Sequence, residues 1–142
     1  MNVPVIRQRD IPFPDYTGES LLLPGEPSYR VWVPQERVIV IGNGQSAEKE
    51  LVASAVCTDR IPVVRRIAGG GAVILDDSVV CYAIRMEKQT HLQISDYYTA
   101  GLEPVKLLLE QQYALKTEMR GISDLCVGDR KILGCSLYLS KH

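Results

Sequence analysis

Apolar and polar positions divide the chain into a punctuated opening stretch and a series of short apolar runs. Residues 1–29 hold Pro4, Pro12, Pro14, Pro24 and Pro27 with no sustained period, which predicts an irregular N-terminal arm. Residues 30–33 read as a short strand, and residues 37–41 (RVIVI), β-branched and apolar, as a buried one. After a turn at 42–45, Ser46 is a good N-cap for a helix over 47–57, with Leu51, Ala55 and Val52 facing inward. Strands are expected at 61–65, 72–75 and 79–85, the last two joined by a turn at Asp76, Asp77 and Ser78. Ser95 caps a helix towards Gln112, and Pro104 inside it predicts a kink or break. Strands at 115–119, 124–127 and 131–138 follow, with Gly128 and Asp129 as a tight hairpin turn. Strands arriving mostly as hairpins and meanders predict an α+β domain: a mixed, mostly antiparallel sheet with packed helices.

Composition narrows the function classes. A chain of 142 residues is one domain in size. The net charge of −1 gives no electrostatic argument for nucleic acid or an anionic membrane. Cys57, Cys81, Cys126 and Cys135 form no C-x-x-C pair and sit in apolar runs, as reduced thiols do. The first residues lack the apolar core of a signal peptide, and no run approaches membrane-spanning length. A cytoplasmic location is the expectation. His91 and His142 stand in polar or terminal context and belong to no recognisable triad or zinc cluster.

Three segments carry candidate chemistry. Gly42, Asn43, Gly44, Gln45, Ser46 and Ala47 fit G-x-G-x-x-A after a strand, a dinucleotide-binding pattern. The following strand ends in Arg65 and Arg66 rather than an acid, which leaves NADP as the matching ligand, but the hairpin-rich remainder does not fit a doubly wound sheet. A plain turn is the alternative. In the second segment, Gly69, Gly70 and Gly71 follow Arg65 and Arg66. Consecutive glycines let an anionic ligand lie against bare N–H groups, and the paired arginines add forked donors. A glycine bulge with two surface arginines is the plainer possibility. In the third segment, Lys131 opens a strand three residues before Gly134, and Asp124 begins its partner. Together they can hold phosphate and Mg2+, or form only a solvated ion pair.

In this order, the segments VIVIGNGQSAEKE, RRIAGGGAVILDD and GISDLCVGDRKILGCS resemble the biotin/lipoate protein ligase family, in its lipoate branch, over residues 31–140. The resemblance implies a class II aminoacyl-synthetase/biotin-ligase-like fold, residues 30–142 being a lipoate ligase-like catalytic domain incomplete at its C-terminal side. It implies ATP- and Mg2+-dependent activation of lipoate or octanoate to an acyl-adenylate, then transfer to a lysine of a lipoyl domain. Carried over by motif, Arg65, Arg66, Gly69, Gly70, Gly71 and Ala72 line the acyl-adenylate, and Gly134 and Ser136 lie along it. Lys131 is the catalytic lysine, contacting the acyl carbonyl and α-phosphate, and Asp124 stands near the phosphate as the candidate Mg2+ contact.

Four positions depart from the family pattern: Asn43 for arginine, Ala68 for serine, Leu75 for histidine and Ser123 for asparagine. Each removes a polar contact to ligand. The family continues beyond the lysine strand with pocket-closing elements, so the expectation is that a second chain or a dimer mate completes the pocket, or that the sequence is a fragment of a longer protein. Two further readings stay open: an octanoyl or lipoyl transferase using an acyl-carrier donor, for which Cys135 is the conceivable nucleophile, and a non-catalytic module binding lipoate or lipoyl domains. Biotin transfer fits less well, because that branch has a different arginine–glycine pattern.

Overall fold

The computed structural model describes residues 2–11 and 14–141. The expected His142 lies outside them, as do Pro12 and Phe13. The chain forms two compact units, one up to Met86 and one from Glu87.

The first unit is built on a four-stranded sheet of order β1-β4-β3-β5: β1 (Val5–Arg7), β3 (Val38–Ile41), β4 (Val63–Arg65) and β5 (Val73–Leu75). β1, β4 and β3 run parallel, and β5 is antiparallel to β3. β3 is buried at all four residues. Its alternation divides the core. Ile39 and Ile41 pack with Val3, Val56 and Val63 on one face, while Val38 and Val40 pack with Tyr16 and Val64 on the other. Such two-sided burial explains why RVIVI reads as one continuous apolar run. A separate pair joins β2 (Tyr29–Trp32) to β6 (Cys81–Ile84), antiparallel. Thus β5 and β6, consecutive in sequence, do not pair with each other. The turn between them is held by Asp76, whose carboxylate accepts from the Ser78 N–H and hydroxyl.

Two local expectations change. The arm holds more regular structure than its prolines indicate: β1 joins the sheet edge, and short 3-10 turns cover Gln8–Asp10 and Glu19–Leu22. Buried Asp15 organises it, accepting N–H groups of Thr17, Gly18 and Ser20 and pairing with Arg30 at 3.0 Å. The expected helix over 47–57 is split into α1 (Ala47–Glu50) and α2 (Ala53–Asp59). Leu51 and Val52 between them are extended. The break turns α2 so that Val56 meets the core, while Val52 and Ala55 are exposed. Ser46 precedes α1, but its hydroxyl donates to the Glu48 carboxylate rather than accepting a helix N–H.

The second unit pairs a long helix with a meander. α3 (Ile94–Tyr113) runs uninterrupted through Pro104, where a kink or break was expected. Its entry is fixed not at Ser95 but two residues earlier, at Gln93, whose N–H donates to the Asp96 carboxylate at 2.7 Å. β7 (Glu118–Arg120), β8 (Asp124–Val127) and β9 (Arg130–Gly134) form an antiparallel sheet. β9 is shorter than the expected 131–138. Gly128 takes the first central position of the β8–β9 turn with φ 55°, the freedom that turn requires. Four of the six strand pairings among the described residues are antiparallel, in keeping with the expected mixed α+β class. No helix among them is long and apolar enough to cross a membrane.

Candidate functional site

In the first unit, two glycine loops leave the carboxyl ends of neighbouring parallel strands: 42–45 after β3, and 66–72 after β4. They are stitched backbone to backbone. Arg66 N–H donates to the Ile41 carbonyl at 3.0 Å, and Asn43 N–H to the Ala68 carbonyl at 2.9 Å. A Cβ at Gly42 would lie 2.0 Å from the Gly70 carbonyl oxygen. Gly42 is therefore the seat of the triple-glycine loop. That packing role accounts for its glycine without a dinucleotide, whereas Gly44 has open space where its Cβ would be.

Both arginines are engaged by the loops themselves. Arg65 Nη1 donates to the carbonyls of Gly42, Asn43 and Gln45 at 3.0, 3.0 and 2.6 Å. Arg66 wraps its own loop, donating to the Gly69 carbonyl at 2.7 and 3.1 Å and to Gly71 at 2.9 Å. Burial lowers the pKa of Arg66. Gly70 sits at φ 94°, and a Cβ there would press on the Arg66 guanidinium at 2.9 Å. Gly69 and Gly71 are exposed with open space at their Cβ positions, as is Ala72 at the strand entry. The loop thus offers a bare backbone flank, held by arginine forks from behind.

In the second unit, Lys131 and Asp124 meet at the same hairpin, Nζ to Oδ1 2.9 Å. The register explains how. A bulge between Leu125 and Cys126 leaves Ile132 as an extra residue on β9, so Gly134 rather than Leu133 stands opposite Asp124. Lys131 pairs with Cys126, which shares a face with Asp124. Its side chain runs back over Gly134, where a Cβ would lie 2.7 Å from Cε and 2.8 Å from Nζ. Glycine is the trough that lets the ammonium reach the carboxylate. Ser123, in the place of the expected asparagine, donates its hydroxyl to the same Oδ1 at 3.3 Å. Ser136 is exposed just past the strand.

Cys135 is poorly suited to nucleophilic work. Its thiol donates to the Ser123 carbonyl at 3.3 Å, and burial, with the Asp124 charge adding and Lys131 opposing, pushes its pKa up to about 11. At neutral pH it keeps its proton. All four cysteines are free thiols. Exposed His91 belongs to no metal cluster, and among the described residues no group of three or more His, Cys, Asp or Glu is placed to hold a metal. Mg2+ ordinarily takes one or two protein carboxylates and completes its shell with water and substrate phosphates, so the lone Asp124 is a compatible donor.

Missed in the sequence were Arg7 and Arg9, which line a small cavity with Asn43, Arg65 and Arg66. The apolar pair Val5 and Ile6 just before Arg7 was the available signal.

Residues 15–142 match the lipoyl protein ligase A/B catalytic domain, and the chain belongs to that family. It is 31% identical over 103 residues to a probable lipoate-protein ligase A of Mycoplasma pneumoniae, covering 72% of this chain and 30% of that protein. It is 30% identical over 120 residues to lipoate–protein ligase 1 of Staphylococcus aureus, covering 84% and 36%. Among solved structures it resembles lipoate-protein ligase A bound with ATP, at 25% identity and TM-score 0.69, covering 80% of this chain and 49% of that one. It likewise resembles a bi-partite lipoate protein ligase from Thermoplasma acidophilum, described with its E2 lipoyl domain, at 26% identity and TM-score 0.70, covering 80% and 44%. The chain spans about a third of the length of these curated relatives.

Proposed function

We propose that this chain is the catalytic part of a cytoplasmic lipoate–protein ligase, activating lipoate or octanoate with ATP to an acyl-adenylate and passing the acyl group to a lysine of a lipoyl domain. The observation that carries this is the Lys131 ammonium, led over Gly134 to within 2.9 Å of Asp124 in a chain of this family. In the first step the acyl carboxylate attacks the α-phosphorus and pyrophosphate leaves. Mg2+ supplies charge neutralisation on the phosphates, and Asp124 is the residue that would hold it.

The remaining roles fall to the chain's own groups. Lys131 is a point charge for the α-phosphate and later for the acyl carbonyl, where negative charge develops as the acceptor amine attacks. The exposed flank of Gly69, Gly70, Gly71 and Ala72 presents N–H groups to the adenylate. Arg66 positions that flank through its carbonyls, Arg65 fixes the neighbouring 42–45 loop against which it sits, and Gly134 and Ser136 border the adenylate. A second chain completes the acyl pocket, as the description of the Thermoplasma acidophilum ligase as bi-partite supports.

ATP–pyrophosphate exchange with Mg2+ and either acid tests this reading, with Lys131→Ala as control. Exchange that needs the fatty acid and disappears in the variant is expected. No exchange with either acid, alone or with a partner chain supplied, would leave a module that binds lipoyl domains without turnover.

A further inference from the structure

Three consecutive residues tie the start of the triple-glycine loop to its surroundings. The Arg66 N–H donates to the Ile41 carbonyl of β3 at 3.0 Å, and the Ala68 carbonyl accepts the Asn43 N–H at 2.9 Å. Between them, the Ile67 N–H donates to the Glu19 carboxylate at 2.6 Å. The first two anchors come from β3 and from the loop that follows it. The third comes from the opening arm, 48 residues earlier in the chain, and it is the one anchor made by a side chain. A bond from an N–H to a carboxylate is roughly twice as strong as one between neutral groups.

Glu19 is itself held from both sides, which makes its carboxylate a fixed point rather than a swinging one. Before it, Gly18 stands at φ 77°, and a Cβ there would lie 2.4 Å from the Ala83 side chain of β6, so only glycine fits. The buried Asp15 carboxylate accepts the N–H groups of Gly18 at 2.8 Å and Ser20 at 3.0 Å, on either side of Glu19, and is paired with Arg30 of β2. The Thr17 hydroxyl accepts the Glu19 N–H at 3.4 Å. After it, Leu21 is buried, and its carbonyl accepts from Arg85 at 2.8 Å.

We propose that Glu19 is a positioning residue for the triple-glycine loop: through the Ile67 N–H, its carboxylate sets where the N–H flank of Gly69, Gly70 and Gly71 stands, and so couples the arm and the β2–β6 pair to that flank. The division of labour is plain. Arg66 gives the loop its shape, since its fork closes on carbonyls of the same loop. Glu19 gives the loop its place, since it reaches in from outside. Placement matters at fine scale: a shift of about 1 Å in a group far from the chemistry can cost on the order of 100-fold in rate. The inference rests on the ligase reading for what the flank receives, the adenylate, and not for the bond itself.

ATP–pyrophosphate exchange with Mg2+ and lipoate tests it in the full chain, with activity taken per folded molecule by circular dichroism, beside amide hydrogen exchange at Asn43. Glu19→Ala removes the acceptor. Its kcat/KM is expected to fall at least about tenfold, and protection of the Asn43 N–H, which is bonded to Ala68 of the loop, to fall with it. Glu19→Gln keeps an acceptor oxygen for Ile67 and is expected to stay within about threefold of the unaltered chain, with Asn43 still protected. A bond that served stability alone would lower the denaturation midpoint of Glu19→Ala and leave the activity of its folded molecules untouched. That result overturns the proposal, as does equal loss in both variants. If the unaltered chain catalyses no exchange, alone or with a partner chain supplied, the ligase reading fails on its own and Asn43 decides. Protection lost in Glu19→Ala and kept in Glu19→Gln then sustains the positioning role, and protection unchanged in both overturns it.

Discussion

Gly42 and Gly70 meet backbone to backbone, so closely that a methyl group on Gly42 would stand 2.0 Å from the Gly70 carbonyl oxygen. A rigid carbonyl cannot step aside as a side-chain tip can. Gly42→Ala is expected to cost about 1–3 kcal/mol through forced movement of one loop. Gly44→Ala, with open space at its Cβ and no positive φ, is expected within about 0.5 kcal/mol of the unaltered chain. Chemical denaturation of the pair checks this, and equal stabilities would mean that the loops are not in contact.

Arg66 holds its loop by geometry as well as charge. Arg66→Lys keeps the cation but cannot satisfy the Gly69 and Gly71 carbonyls with one planar fork. A loss of about 1–2 kcal/mol is expected, reflecting the value of hydrogen bonds from a charged donor. Amide hydrogen exchange at Asn43, whose N–H donates to the Ala68 carbonyl of that loop, is the sharper readout, since protection there should fall while that of buried β3 persists.

Gly134 tests whether the lysine is placed or merely present. Gly134→Ala puts a methyl group where Cε and Nζ of Lys131 now run. The flexible side chain can yield, so stability should change by less than about 1 kcal/mol. The ammonium must leave Asp124, and acid-dependent pyrophosphate exchange should fall at least about tenfold, as when a transition-state contact is lost. A variant with intact exchange would show that Lys131 does not need this path. Asp124→Asn should also cost less than about 1 kcal/mol by thermal denaturation, because Lys131 is exposed and Asp124 only half-buried.

Acid stability should depend on Asp15. Burial pushes its carboxyl up, but the N–H groups and hydroxyl around it win and hold the pKa below the usual 3.8. With a folded value below the unfolded one, its contribution is complete above pH 3.8 and drains away as pH falls through the folded pKa. Asp15→Asn should lose about 1–3 kcal/mol at neutral pH and show a flatter acid limb. Thermal midpoints followed from pH 7 down to pH 3 separate the two chains, and parallel curves would remove Asp15 as the source. Glu19 works in the opposite sense: its pKa is raised, chiefly by burial, so it favours the fold below the usual 4.5 and less as pH rises.

What was legible in the sequence was what short-range pattern encodes. VIVI of β3 announces a strand because both its faces are buried, and Gly128 marks a hairpin because the turn needs positive φ. β1 was not legible: three residues cannot display a period, and their partner in β4 lies far along the chain. The split between α1 and α2 was hidden because Leu51 and Val52 carry no breaker, and only packing of Val56 on the sheet decides it. At the candidate site, the lysine, aspartate and glycines could be named from their motifs. The commitment of Arg65 and Arg66 to carbonyls could not, since an arginine beside glycines reads the same whether it faces a ligand or a backbone.

The bulge in the β8–β9 hairpin makes Ile132 a spacer. It is 46% exposed, so almost any side chain should serve there. It acts by standing outside the pairing: were it drawn into the ladder opposite Leu125, Leu133 would come opposite Asp124 and Gly134 would pass to the other face, away from the lysine. Of the two positions between lysine and glycine, one is thus a slack link left out of the strand's step, and that slack decides whether charge meets charge.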